Sequence, residues 1–269
     1  MTSDVDTPLS WWGKYTLECK QNRIWNIGPL TLIVRCLAGE WQVANERADD
    51  FNEEQHAWLS SITDLLPETL ENNSRYVFHQ TSGLLNIRPL LADRPIISRP
   101  YTPFYLTAGE EVTVYVSTPL WLELSVGSKS KKLLEEIAIQ RPSDTWFGPS
   151  TREGDLCYAS STHCRLDLEE LPQRPYRAIT PVHICNKADT TLAVERLNVP
   201  APLLPLYASS KGQLWTPKIT LIRDKDGDMA ELVIDNKPPK EAVRAVKLSE
   251  PRETVDEGVL FRAFNAVFS

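Results

Sequence analysis

Apolar and polar residues alternate with a period of two along much of this chain, and turn residues break the alternation every few positions. Leu30–Val34 (LTLIV) follows Gly28-Pro29 and stops before Ala38-Gly39. Trp41–Ala44 then reads as its return strand. Arg75–His79 and Leu84–Ile87 flank Ser82-Gly83, a pattern that predicts a hairpin. Glu111–Val116 (EVTVYV) alternates strictly, and Leu120–Val126 (LWLELSV) alternates again after Pro119. Ile219–Ile222 and Glu231–Ile234 flank Asp226-Gly227-Asp228, the clearest hairpin signal in the chain. Strict alternation turns one face to a core and the other to water, as antiparallel sheets do. Helical spacing is weaker. Glu53–Ile62 has apolar residues at i, i+3 and i+4, Lys131–Ile139 fits a helix or a strand, and Leu166–Leu171 holds one turn at most. These patterns predict an all-β protein of two antiparallel, sandwich-like halves with at most one or two short helices.

The 269 residues suffice for one large domain or two modest ones. Gly127–Lys132 and the turn at Arg141-Pro142-Ser143 gather Pro, Ser and charge. The expected halves are therefore residues 1–139 and 140–269, with a single large sandwich as the alternative. Ile24–Arg35 and Leu214–Arg223 share Trp, then Pro, then a Thr-Leu-Ile strand ending in Arg, a short internal similarity that needs a two-residue gap.

Composition narrows the class. Hydrophobic residues at 42% and charged residues at 24% are ordinary for a folded protein. A net charge of −7 argues against nucleic acid as the partner, because phosphate backbones require clustered Lys and Arg. The start lacks the basic and apolar regions of a signal peptide, and no window approaches the ~18 apolar residues of a membrane helix. A cytoplasmic protein that is not membrane-embedded is the expectation. Five unevenly spaced cysteines then read as free thiols.

Three groups of residues go beyond β patterning: Trp11-Trp12-Gly13 with Trp25–Leu32 (WNIGPLTL), Val114–Trp121 (VYVSTPLW), and Ser143–Pro149 continuing to Gly154–Tyr158 (SDTWFGP…GDLCY). With Pro251-Arg252 and Arg262-Ala263-Phe264, they resemble the uncharacterised prokaryotic family catalogued as domain of unknown function 432 across nearly the whole chain. The resemblance supplies no catalytic residues. It implies a channel-associated cytosolic factor whose protein partner is a small-conductance mechanosensitive channel.

The third group is also the best local candidate for a site. Ser143, Asp144, Trp146, Arg152, Glu153 and Asp155 fall within thirteen positions, and Gly148, Pro149 and Gly154 force turns. A ligand could stack on Trp146 and pair with Arg152, Asp144 or Glu153. The competing reading is an ordered crossing in which Trp146 and Phe147 plug the core. Trp25, Trp121 and Trp215 belong to strand patterns and are read as structural.

Cys157, His163, Cys164, His183 and Cys185 are the right types to hold zinc, but their spacing matches no zinc motif, and no metal or cofactor is expected. Asp224–Asp228 resembles a calcium loop, yet position six, counted from Asp224, is Met229 where an EF-hand needs Gly, so a plain hairpin turn is expected. No nucleophile elbow, HExxH or phosphate-binding loop occurs. The function expected is a non-enzymatic binding or regulatory module acting on a protein. A small-ligand or carbohydrate-binding module using the Trp146/Arg152 segment is the alternative.

Overall fold

A computed structural model describes residues 10–48, 58–128, 130–150, 152–254 and 259–264. The protein is all-β. Among the described residues the helical elements are two single 3-10 turns, Pro67–Thr69 and Ala201–Leu203. No helix is long and apolar enough to cross a membrane. Lys132–Ala138 is a strand. Of the segment Glu53–Ile62, residues 53–57 lie outside the described residues, and the described remainder belongs to the strand Trp58–Thr63 rather than a helix. Leu166–Leu171 forms only turns.

The chain divides into two compact units, one of Met1–Leu90 with Trp121–Gln140, the other of Leu91–Leu120 with Arg141–Ser269. Neither unit is a single stretch of chain, whereas the sequence suggested one boundary at 139/140. Alternation continues on both sides of Pro119, so periodicity carries no sign that Glu111–Pro119 and Trp121–Val126 serve different units.

The first unit contains a five-stranded antiparallel sheet in the order Trp58–Thr63, Asn22–Ile27, Leu30–Leu37, Glu40–Arg47, Asn72–Val77. Ile27 faces Leu30 across Gly28-Pro29, with Gly28 at φ +56, a conformation that only glycine takes cheaply. Proline fixes the next φ, and the two-residue loop sets the register that buries Trp25, Leu32 and Val34 together. A four-stranded sheet in the order Gly13–Thr16, Leu84–Leu90, Trp121–Val126, Lys132–Ala138 completes this unit. The hairpin expected across Ser82-Gly83 does not form. Asn72–Val77 pairs with Glu40–Arg47, while Leu84–Leu90 pairs with Gly13–Thr16 and Trp121–Val126. A Gly-containing turn reverses the chain but does not choose its hydrogen-bond partner.

In the second unit the strand Arg177–Asn186 is central. Glu111–Pro119 runs antiparallel to it from Glu111↔Cys185 to Pro119↔Arg177. On its other side it pairs in parallel with Leu214–Trp215 and with Ile219–Arg223. A further parallel pair joins Asp155–Cys164 to Ile96–Pro100. These three parallel pairs stand within otherwise antiparallel sheets. Each joins strands separated by long intervening chain, the connection that parallel pairing requires. The hairpin of Ile219–Arg223 and Met229–Ile234 forms as its alternation predicts. The two similar segments are used differently: Trp25 lies in an antiparallel hairpin, whereas Trp215 and Leu221 sit on separate strands parallel to a third.

A polar knot holds one end of the central strand. Asn186 is 1% exposed. Its Nδ2 donates to the carbonyls of Leu106, Thr107 and Thr190 at 2.9, 3.2 and 2.9 Å. Arg223 donates to Asn186 Oδ1 at 3.0 Å, to the Thr190 carbonyl and hydroxyl at 3.1 Å each, and to Asp226 at 3.2 Å. Asp228 is engaged in turn by Arg262. Asp226 and Asp228 of this turn thus neutralise arginines.

Candidate functional site

The segment singled out around Trp146 is a β-hairpin. Ser143–Phe147 and Asp155–Cys164 pair antiparallel, with Asp144 opposite Tyr158 and Trp146 opposite Leu156. Side-chain alternation divides the two aromatics that the sequence placed together. Phe147 turns inward and packs with Ile97 and Cys157. Trp146 turns outward and is 45% exposed, beside Leu156 at 48%. Trp11, Trp25, Trp41, Trp121 and Trp215 are all buried.

The outward face is braced. The Trp146 indole N–H donates to the Ser150 carbonyl at 2.7 Å. Ser150 Oγ accepts from the backbone N–H groups of Arg152 and Glu153 at 3.3 and 3.1 Å. A Cβ on Gly148 would stand 2.1 Å from the Glu153 carbonyl oxygen, so the tip closes only because that residue is glycine. One Cβ on Gly154 would meet the Trp146 ring at 2.7 Å, so the backbone lies directly against the indole. These contacts fix the ring at a low entropic cost for any later binding. Beside it, Arg94 pairs with Asp144 at 3.0 Å and lies over the Tyr158 ring at 5.2 Å, while Tyr158 donates to Asp93 at 3.0 Å. Asp144 and Trp146 therefore share the exposed face, and Arg152 and Glu153 sit exposed at the tip. Three cavities among the described residues, of about 170, 130 and 90 Å³, have none of these four residues in their linings. Each is smaller than the ~300 Å³ at which small-molecule sites begin.

The five cysteines and histidines named from sequence do not form one cluster. Cys157 and Cys164 are buried, and burial pushes both thiols up to about 12. His163 is exposed, edge-on to Tyr101. His183 and Cys185 instead meet Glu111, and the ligand atoms of these three lie within 4.8 Å of one another. Glu111 was missed because its place opposite Cys185 depends on pairing across 74 positions, which no local pattern carries. All five cysteines are free. A short iodoacetamide pulse on the native protein, read by peptide mass spectrometry, should label Cys19 first and Cys185 next. Cys157 and Cys164 should react only after unfolding, because they lack both access and thiolate character.

A family model described as a protein of unknown function, DUF432, matches residues 11–269. No curated protein and no solved structure matches the chain.

Proposed function

Since the chain belongs to the DUF432 family, whose description assigns no activity, we propose from the site itself that this protein is a non-enzymatic binding module whose hairpin face, centred on Trp146 and Leu156, docks a protein partner. The observation that carries this reading is the outward pair: a large indole and a leucine, both about half exposed, held on a hydrogen-bonded hairpin. Tryptophan in a rigid setting is a strong interface anchor. Exposed Arg152 and Glu153, with the Arg94–Asp144 pair, supply the polar rim that surrounds such an anchor. The partner expected is a protein presenting a small apolar pocket ringed by charges of both signs. Five free thiols fit a reducing compartment, so the partner is sought in the cytosol. The family resemblance makes a mechanosensitive channel's cytosolic face the first candidate.

The test is quantitative capture from native cells with the wild-type protein, Trp146→Ala and Leu156→Ser. A partner that binds directly should be retained by the wild type and reduced at least tenfold by each variant, with unchanged circular dichroism. A partner retained equally by all three would overturn the reading. If Trp146 fluorescence instead responds to oligosaccharides, and capture is unaffected, the carbohydrate alternative takes its place.

A further inference from the structure

The central strand Arg177–Asn186 is buried at eight of its ten residues, and the two that reach solvent are His183 and Cys185. They are two apart, so they share a face. The register sets Thr113 opposite His183 and Glu111 opposite Cys185 on the neighbouring strand, which places all four side chains in one patch on that face. On the other flank, Thr220 and Ile222 lie opposite His183 and Cys185 and complete the floor.

Within the patch, Glu111 Oε2 is 3.5 Å from His183 Nε2 and 3.9 Å from Cys185 Sγ. Around a tetrahedral zinc ion, bond lengths of about 2.0–2.3 Å give ligand-to-ligand distances of roughly 3.3–3.8 Å. These two separations are close to those edges, and the third pair lies within 4.8 Å. Both are long for the strong charge-assisted hydrogen bonds that would otherwise explain the grouping. His183 Nδ1 meets Thr113 Oγ1 at 3.0 Å. That contact fixes the ring and leaves Nε2, the atom aimed at Glu111, as the ligating nitrogen, the arrangement usual behind metal-bound histidines.

We propose that Glu111, His183 and Cys185 form a binding site for a divalent transition-metal ion, zinc foremost, with Thr113 positioning the histidine and a fourth coordination position open to water. Carboxylate, imidazole and thiolate are each ordinary zinc ligands, and thiolate with imidazole selects against magnesium and calcium. The patch lies on different strands from the Trp146 hairpin, and the inference is independent of the protein-docking reading. Lys187 and Lys218 stand near Cys185 and lower the affinity expected for a cation, so the site is expected to be weaker than a four-ligand structural site.

The test uses zinc itself on the full chain. Protein stripped with a chelator is titrated with zinc against a competing indicator, and alkylation of Cys185 is followed in parallel with and without the metal. One zinc per chain is expected, with Cys185 protected at least tenfold and exposed Cys19 not protected. His183→Ala and Glu111→Ala keep the cysteine and should abolish that protection. Thr113→Val should weaken binding by about tenfold, the usual effect of losing a residue that orients a ligand. Cobalt should give a thiolate charge-transfer band that disappears in Cys185→Ser. Equal alkylation of Cys185 with and without zinc overturns the proposal, as does protection that survives both His183→Ala and Glu111→Ala. These surface variants leave the buried face untouched, and unchanged circular dichroism is required of each.

Discussion

Replacing Arg223 by leucine should destabilise the second unit by about 1–3 kcal/mol, the usual result of leaving a buried hydrogen-bonding group unsatisfied. The Arg223 side chain is only 6% exposed, and it donates to Asn186 Oδ1 and both oxygens of Thr190. Leucine fills the space but donates nothing, so the buried Asn186 Oδ1 stays without its donor, whereas exposed Thr190 turns to water. Asp226 offers the contrast. It pairs with the same arginine but is 67% exposed, and water replaces its contribution. Asp226→Asn should therefore cost less than about 1 kcal/mol. Denaturant melts followed by a probe in the second unit would separate the two. Equal effects would show that the ion pair, rather than the buried hydrogen bonds, holds the knot.

Trp25→Ala should cost the first unit more, about 3–5 kcal/mol, through lost burial and the cavity left behind. Trp25 is fully buried, and its ring meets Tyr15 edge-to-face at 5.1 Å. Trp146→Ala removes the same side chain from a half-exposed position and should cost much less, about 1 kcal/mol, chiefly the lost indole hydrogen bond. The pair divides tryptophan as fold from tryptophan as site. A large loss of stability in Trp146→Ala would mean that the indole serves to hold the hairpin.

That division was partly legible in the sequence. Trp25 lies in an alternating strand beside a Gly-Pro turn, and its partner across that turn, Leu32, is close along the chain. The same holds for Leu30–Leu37 with Glu40–Arg47 and for the hairpin at Asp226-Gly227. Trp146 was recognisable as unusual, because glycines and charges surround it. Its outward direction was not, since that follows from which of two adjacent residues, Trp146 or Phe147, meets Ile97 on a distant strand. The Glu111, His183 and Cys185 group was legible only in halves. His183 and Cys185 share a strand and a spacing, but Glu111 joins them through long-range register. The failed hairpin across Ser82-Gly83 has the same cause: local chemistry gives the turn and remote packing decides the pairing.

The discontinuity of the two units has a consequence for how the protein is made. Residues up to Gln140 are enough to finish the first unit, yet Glu111–Pro119, already synthesised, belongs to the other and has its long partner in Arg177–Asn186. Arg177 follows Pro119 by 58 positions. At a translation rate of ~5–20 residues per second, that strand waits about 3–12 s with Val112, Val114 and Val116 unsheltered on the ribosome. Such a segment is a template for pairing with another nascent chain. It is bracketed by Glu110-Glu111 at one end and Pro119 at the other, the charge and the ring that discourage a premature strand from growing in either direction.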